Sequence, residues 1–172
     1  NNPKLSVVFF SLEMSREQLA RRIISSTVLI DSKKMLTGAV TEDEWEDIFK
    51  FWHDDLNDVN LLFDDTSMIT VAEMKAKLRR VKNLGMVMID YLQLMSSGKK
   101  IDNRVQEIGD ITRSLKIMAK ELMVPLIVCA QLSRGTESKG QSHRPALADL
   151  RDSGSIEQDA DIVLFLYREK YY

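Results

Sequence analysis

A single cysteine, Cys129, leaves the chain unable to close an internal disulfide. Its core must hold the fold, and a reducing, cytosolic compartment is expected, with Cys129 itself a small core residue of an apolar strand. No apolar run approaches the roughly 20 residues needed to cross a bilayer. The opening Asn1-Asn2-Pro3-Lys4 is not a signal peptide, so a membrane is not an expected partner. Positive charge is not in excess: 24 Lys and Arg against 26 Asp and Glu give a net charge of −2. That excludes a broadly basic surface advertising nucleic acid. It leaves room for DNA gripped by a few inward-facing groups, because local potential suffices, and Lys and Arg cluster at 99–120 and 134–151. Fixed-period repeats and low-complexity tracts are also missing.

What remains is a chain of 172 residues, 44% apolar, long enough for one domain with a sizeable core. Its pattern alternates strands with helices. Leu5 to Phe10 reads as an apolar strand, and Ser15 with Gln18 as a capping box opening a helix to about Leu29. Thr41 with Glu44 opens a second helix, whose Trp45, Ile48, Phe49, Trp52 and Leu56 share one face and are expected to pack in the core or against another subunit. Asn60 to Phe63 is a short strand, and Thr70 with Glu73 caps a helix carrying Val71, Met74, Leu78 and Val81. The run from Gly85 through Ile89 predicts a strand buried on both faces and ending in Asp90. A polar loop over 96–102 precedes a long amphipathic helix marked by Val105, Ile108, Ile111, Leu115, Met118 and Leu122. Leu126 to Ala130 is a further buried strand ending at Gln131, residues 133–144 form a polar loop, and Ile162 to Leu166 is a last strand.

Strands alternating with helices imply βαβ units, so the expected fold is α/β with a mostly parallel sheet covered by helices on both faces. In such a sheet the residues that follow the strands fall along one edge. Glu13, Asp64, Asp90 and Gln131 are therefore expected to line up there.

An apolar strand ending in Asp is the Walker B pattern, whose carboxylate holds Mg²⁺ on a nucleotide; it is also what an ordinary solvated strand end looks like. The neighbours decide between them. Many ATPases place the water-activating Glu directly after this Asp, but Tyr91 stands there, so the base must come from an adjacent strand. Glu13 is the candidate general base, and Gln131 a candidate contact for the γ-phosphate or the attacking water. Glu13 also sits near a helix N-terminus, where any acid is favoured. No Gly-x-x-x-x-Gly-Lys-[Ser/Thr] occurs, and Gly98-Lys99-Lys100 lacks both the upstream glycine and the hydroxyl residue. The expectation is that the chain begins after the phosphate loop.

Ser11-Leu12-Glu13-Met14-Ser15, the run from Met88 to Met95, Ala130-Gln131-Leu132-Ser133-Arg134, and above all Asp149-Leu150-Arg151-Asp152-Ser153-Gly154-Ser155-Ile156-Glu157-Gln158-Asp159-Ala160-Asp161 resemble the C-terminal ATPase domain of bacterial replicative DNA helicases of the DnaB type. The likeness runs in order over nearly the whole chain. It implies a RecA-like core, incomplete at both ends, spanning 1–172 as one domain fragment after the phosphate loop and before the arginine finger. It further implies a cytoplasmic bacterial protein that forms a homohexamer around single-stranded DNA, binds ATP with Mg²⁺, and works with a primase and a helicase loader. By resemblance Glu13 is the catalytic base, Asp90 the Mg²⁺ ligand, Gln131 the γ-phosphate sensor, and Arg151, Asp152 and Gly154 DNA-backbone contacts. Asp152 stands where the family more often has Glu. Arg168 does not match the trans-acting Arg, and the fragment alone is expected to be inactive. Another RecA-like ATPase of recombination or clock type, or a non-catalytic assembly module, would share part of this pattern.

Overall fold

The computed structural model describes residues 5–54, 56, 60–132 and 144–168. The polar loop expected at 133–144 lies outside the described residues except for Arg144. Strand β1 (Ser6–Ser11) leads into α1 (Arg16–Val28), α2 (Ser32–Thr37) and α3 (Glu42–Asp54). Then come β2 (Asn60–Asp64), α4 (Val71–Leu78), β3 (Leu84–Asp90), α5 (Arg104–Leu122), β4 (Leu126–Val128) and α6 (Gly154–Asp159). All four strands are parallel, in the order β2-β1-β3-β4.

The helix starts follow the expected chemistry. Gln18 N–H donates to Ser15 Oγ (3.4 Å) while Ser15 N–H donates to Gln18 Oε1 (3.0 Å), and Thr41/Glu44 and Thr70/Glu73 repeat the exchange. Each pair satisfies two N–H groups that the first helical turn leaves without partners. At the start of β3, Gly85 leaves room for the neighbouring chain: a Cβ there would lie 2.8 Å from Leu5 Cβ.

The core forms between one face of the sheet and α4 and α5. Val8, Phe10, Val87 and Ile89 meet Met74, Leu78, Ile108, Ile111, Leu115 and Met118. The spacing of the α5 residues matches the expected stripe, except that Val105 is exposed.

Three expectations need correction. β3 is buried on one face only: Val87 and Ile89 are inaccessible, while Met86 and Met88 stay half-exposed on the other. β4 is an edge strand, half-buried at best, so Cys129 just beyond it is exposed rather than a core residue. Ile162–Leu166 joins no ladder among the described residues, and Ile162, Leu164 and Leu166 are exposed. Its composition favours a strand, but an apolar segment needs a hydrogen-bonding neighbour, and β4 is not paired to it. α3 packs through Ile48 and Phe51 and leaves Trp45, Phe49 and Trp52 on the surface, so of the two roles expected for this face, core or subunit contact, these three do not take the first. α2 is an element the hydrophobic pattern did not announce.

Candidate functional site

Register fixes the site. Ser11 pairs with Asp90, and Ile89 pairs with Val128, so Ser11, Asp90 and Cys129 stand level across β1, β3 and β4. Glu13 and Gln131 each lie two residues further on, flanking Asp90 from the strands to either side. Neighbouring strands are about 4.8 Å apart, which brings the three side chains to one edge of the sheet, where open α/β sheets take their ligands.

The backbone around them is closely held. Leu12 N–H donates to the Asp90 carbonyl (2.8 Å), tying the Glu13 loop to the end of β3. Ser11 Oγ then bridges that loop, donating to Met14 O (2.7 Å) and accepting from Met14 N–H (3.2 Å), and Ser11 is 1% exposed. The next turn is the capping box of α1. On the other side, Cys129 N–H donates to Ile89 O and Leu92 N–H to Cys129 O, both at 2.9 Å, carrying the β3–β4 pairing past Asp90. The Asp90–Tyr91 peptide is cis. Although the residue is exposed, the partial cover its neighbours give the sulfur, then the Asp90 charge, push the Cys129 thiol above its ordinary 9.0.

The acids along this edge divide into two kinds. Asp64, at the end of β2, accepts from Lys77 Nζ (2.5 Å) and Thr66 N–H (3.1 Å). Burial pushes its carboxyl up, but those donors outweigh it and hold it below 3.8. Asp64 is thus committed to joining β2 to α4. Among the described residues, the carboxylates of Glu13 and Asp90 take no hydrogen bond or ion pair; Glu13 is exposed and Asp90 half-buried. An uncommitted half-buried carboxylate at a strand end suits Mg²⁺, which takes one or two carboxylates and keeps its remaining positions for water and phosphate. No cluster of three or more metal-ligating side chains occurs among the described residues.

Behind the edge, Tyr91 leads into a 3₁₀ turn at Leu92–Leu94. Arg104, at the start of α5, donates through Nη2 to Gln93 O (2.8 Å) and Met95 O (3.2 Å), and through Nη1 to Glu107. Glu107 also accepts from Ser97 N–H (3.0 Å), and that bond, with Arg104 second, keeps its carboxyl below 4.5. Neither periodicity nor motif assigns a role to Gln93, Arg104 or Glu107. The only signal was a polar Gln93 between Leu92 and Leu94.

The long C-terminal motif is placed apart from the strand-end acids. Leu147–Ser153 forms a second 3₁₀ stretch, and α6 begins at Gly154. Arg151 and Asp152 therefore lie in that stretch and Gly154 at the first position of the helix. Asp149, 5% exposed, accepts from Ala146 N–H (2.9 Å), and Leu150 is buried. α6 is fastened to α5: Thr112 Oγ1 donates to Asp159 (2.6 Å), Lys116 pairs with Asp161, and Gly109 leaves space for Ser155, whose Cβ and Oγ would meet a side chain there at 3.3 Å. The structure thus brings Glu13, Asp90 and Gln131 together and carries Arg151, Asp152 and Gly154 on a separate stretch anchored to α5. No helix of the described residues is long and apolar enough to cross a membrane.

The family model for the DnaB-like helicase C-terminal domain matches residues 1–172. The replicative DNA helicase DnaC of Bacillus subtilis (strain 168) is 48% identical over 171 residues, which cover 97% of this chain and 37% of that protein. The replicative DNA helicase DnaB of Rickettsia bellii (strain RML369-C) is 47% identical, with 100% and 35% covered. The chain thus spans little more than a third of the length of these curated relatives. Among solved structures, a DnaB-like replicative helicase described with its interactions with primase superposes with a TM-score of 0.89 at 36% identity, covering 98% of this chain and 41% of that one. A second solved structure, described as an ATPase domain, gives the same score and identity, with 98% and 61% covered.

Proposed function

The chain belongs to the DnaB-like helicase C-terminal domain family, and from that premise we propose that it is the motor of a hexameric replicative helicase, coupling ATP hydrolysis to movement on single-stranded DNA and to duplex unwinding. The observation that carries this reading is the strand-end trio, with uncommitted Glu13 and Asp90 on neighbouring strands and Gln131 on the far side of Asp90. Asp90 would hold Mg²⁺, which would supply charge neutralisation to the phosphates. Glu13 accepts a proton from the water that attacks the γ-phosphorus as the bond to the β-phosphate oxygen breaks, and ADP leaves. Gln131 contacts the γ-phosphate.

In the same reading Arg151, Asp152 and Gly154 meet the DNA backbone. An Arg donates to phosphate, and glycine lets backbone N–H groups approach closely. The protein works in the bacterial cytoplasm as a homohexamer with a primase and a helicase loader, and the exposed Trp45, Phe49 and Trp52 of α3 are available to subunit contact. The DNA reading is tested by titrating single-stranded DNA into the full-length protein at several salt concentrations. Arg151→Ala should weaken binding and lower the slope of log K against log salt by about 0.7, the share of one phosphate contact on a single strand. An unchanged slope overturns the assignment of Arg151.

A further inference from the structure

The side chain of Gln93 is bonded at both ends of its amide to one residue's backbone. Its Nε2 donates to Gln131 O (3.0 Å), and its Oε1 accepts from Gln131 N–H (3.1 Å). A primary amide offers a donor and an acceptor side by side, as a peptide does in a sheet, so this contact works as an extra rung of the β3–β4 ladder. It is made where the chains themselves have parted: β4 ends at Val128, the last backbone bond between the two segments is Leu92 N–H to Cys129 O, and Gln131 is two residues beyond it. Gln93 in turn is held from behind, its carbonyl accepting from Arg104, which Glu107 orients.

We propose that Gln93 is a positioning residue for the hydrolysis reaction, fixing the backbone of Gln131 so that its side chain meets the γ-phosphate. The proposal rests on the reading of Gln131 as the γ-phosphate contact. The geometry argues for a dedicated clamp. Gln131 is exposed and lies past the end of the shortest strand. Both of its backbone hydrogen-bonding groups are satisfied by this one side chain. Only an amide can do this, because a carboxylate at 93 would still accept from Gln131 N–H but would set an oxygen against Gln131 O. Asn is one methylene too short to reach both groups from the same backbone position.

The test uses full-length protein carrying Gln93→Ala, Gln93→Glu, Gln131→Ala, or Gln93→Ala with Gln131→Ala. The readouts are DNA-stimulated ATP turnover, binding of a fluorescent ATP analogue, and thermal midpoint. Gln93→Ala and Gln93→Glu are each expected to lower kcat about ten- to hundredfold, as a misplaced catalytic group does, with KM for ATP and analogue binding held within about twofold. The double variant should be no slower than Gln131→Ala alone, because a clamp has nothing left to position. A Gln131→Ala enzyme of wild-type rate removes the underlying reading. A slow Gln131→Ala beside a normal Gln93→Ala overturns the clamp and leaves that reading standing. Losses that multiply in the double variant, or loss of analogue binding and thermal midpoint in both Gln93 variants, show that Gln93 acts elsewhere and overturn the clamp as well.

Discussion

Full-length protein carrying Glu13→Gln is expected to bind ATP and single-stranded DNA normally while its DNA-stimulated hydrolysis falls about 100- to 10,000-fold, the contribution of a positioned general base. The amide keeps the size and much of the hydrogen bonding of the carboxylate but cannot take a proton from water. The surroundings make the substitution clean. Glu13 is exposed and, among the described residues, its side chain has no partner to lose. Its loop is fixed without it, by Leu12 N–H on Asp90 O, the Ser11 bridge to Met14, and the Ser15 cap. Stability should therefore change by no more than about 0.5 kcal/mol. Phosphate release with and without DNA, beside nucleotide binding, checks both halves. Unimpaired turnover rules out Glu13 as the base.

Phe10→Ala should have the largest effect on stability. Phe10 is 1% exposed, sits on β1 level with Asp64 on β2 and Ile89 on β3, and belongs to the core beneath α4 and α5. Removing a ring so enclosed loses its burial and leaves a cavity that the strands cannot close, at a cost of about 3–5 kcal/mol. Against a total of about 5–15 kcal/mol that is a large share. The thermal midpoint of the domain should fall on the order of 10 °C. Phe49→Ala is the control: Phe49 is 66% exposed on α3, and its loss should move stability by no more than about 0.5 kcal/mol. A similar fall for both variants would place α3's aromatic face in a packed interface, and a small change at Phe10 would contradict the core described above.

Local chemistry made much of this legible in advance. Ser15, Thr41 and Thr70 announce helix starts because the partners of their capping boxes stand three residues on. Asp90 announces itself as a charge closing an apolar run, and Glu13 and Gln131 join it because a parallel sheet puts every strand's end on one side. What the chain could not disclose depends on partners far away in sequence. Leu126 to Ala130 and Ile162 to Leu166 have strand composition, yet composition does not say whether a neighbour lies alongside; one became a three-residue edge and the other joined no ladder among the described residues. The face at Trp45, Phe49 and Trp52 has helical spacing, but the sheet offers it nothing to cover. The six residues of α2 are too few for a periodic signal, although Asp31 as N-cap and Gly38 at φ 74° mark its ends. Gln93 reaches a backbone 38 residues away, and nothing near it in sequence points there.

Strand separation on a forked duplex tests most directly whether these strand ends drive a helicase, as proposed, rather than another RecA-like ATPase or an inert assembly module. With ATP and Mg²⁺, the full-length protein should release the displaced strand at a rate that collapses in Glu13→Gln although the fork is still bound. DNA-stimulated hydrolysis without strand release, or release that proceeds unchanged in Glu13→Gln, would contradict it.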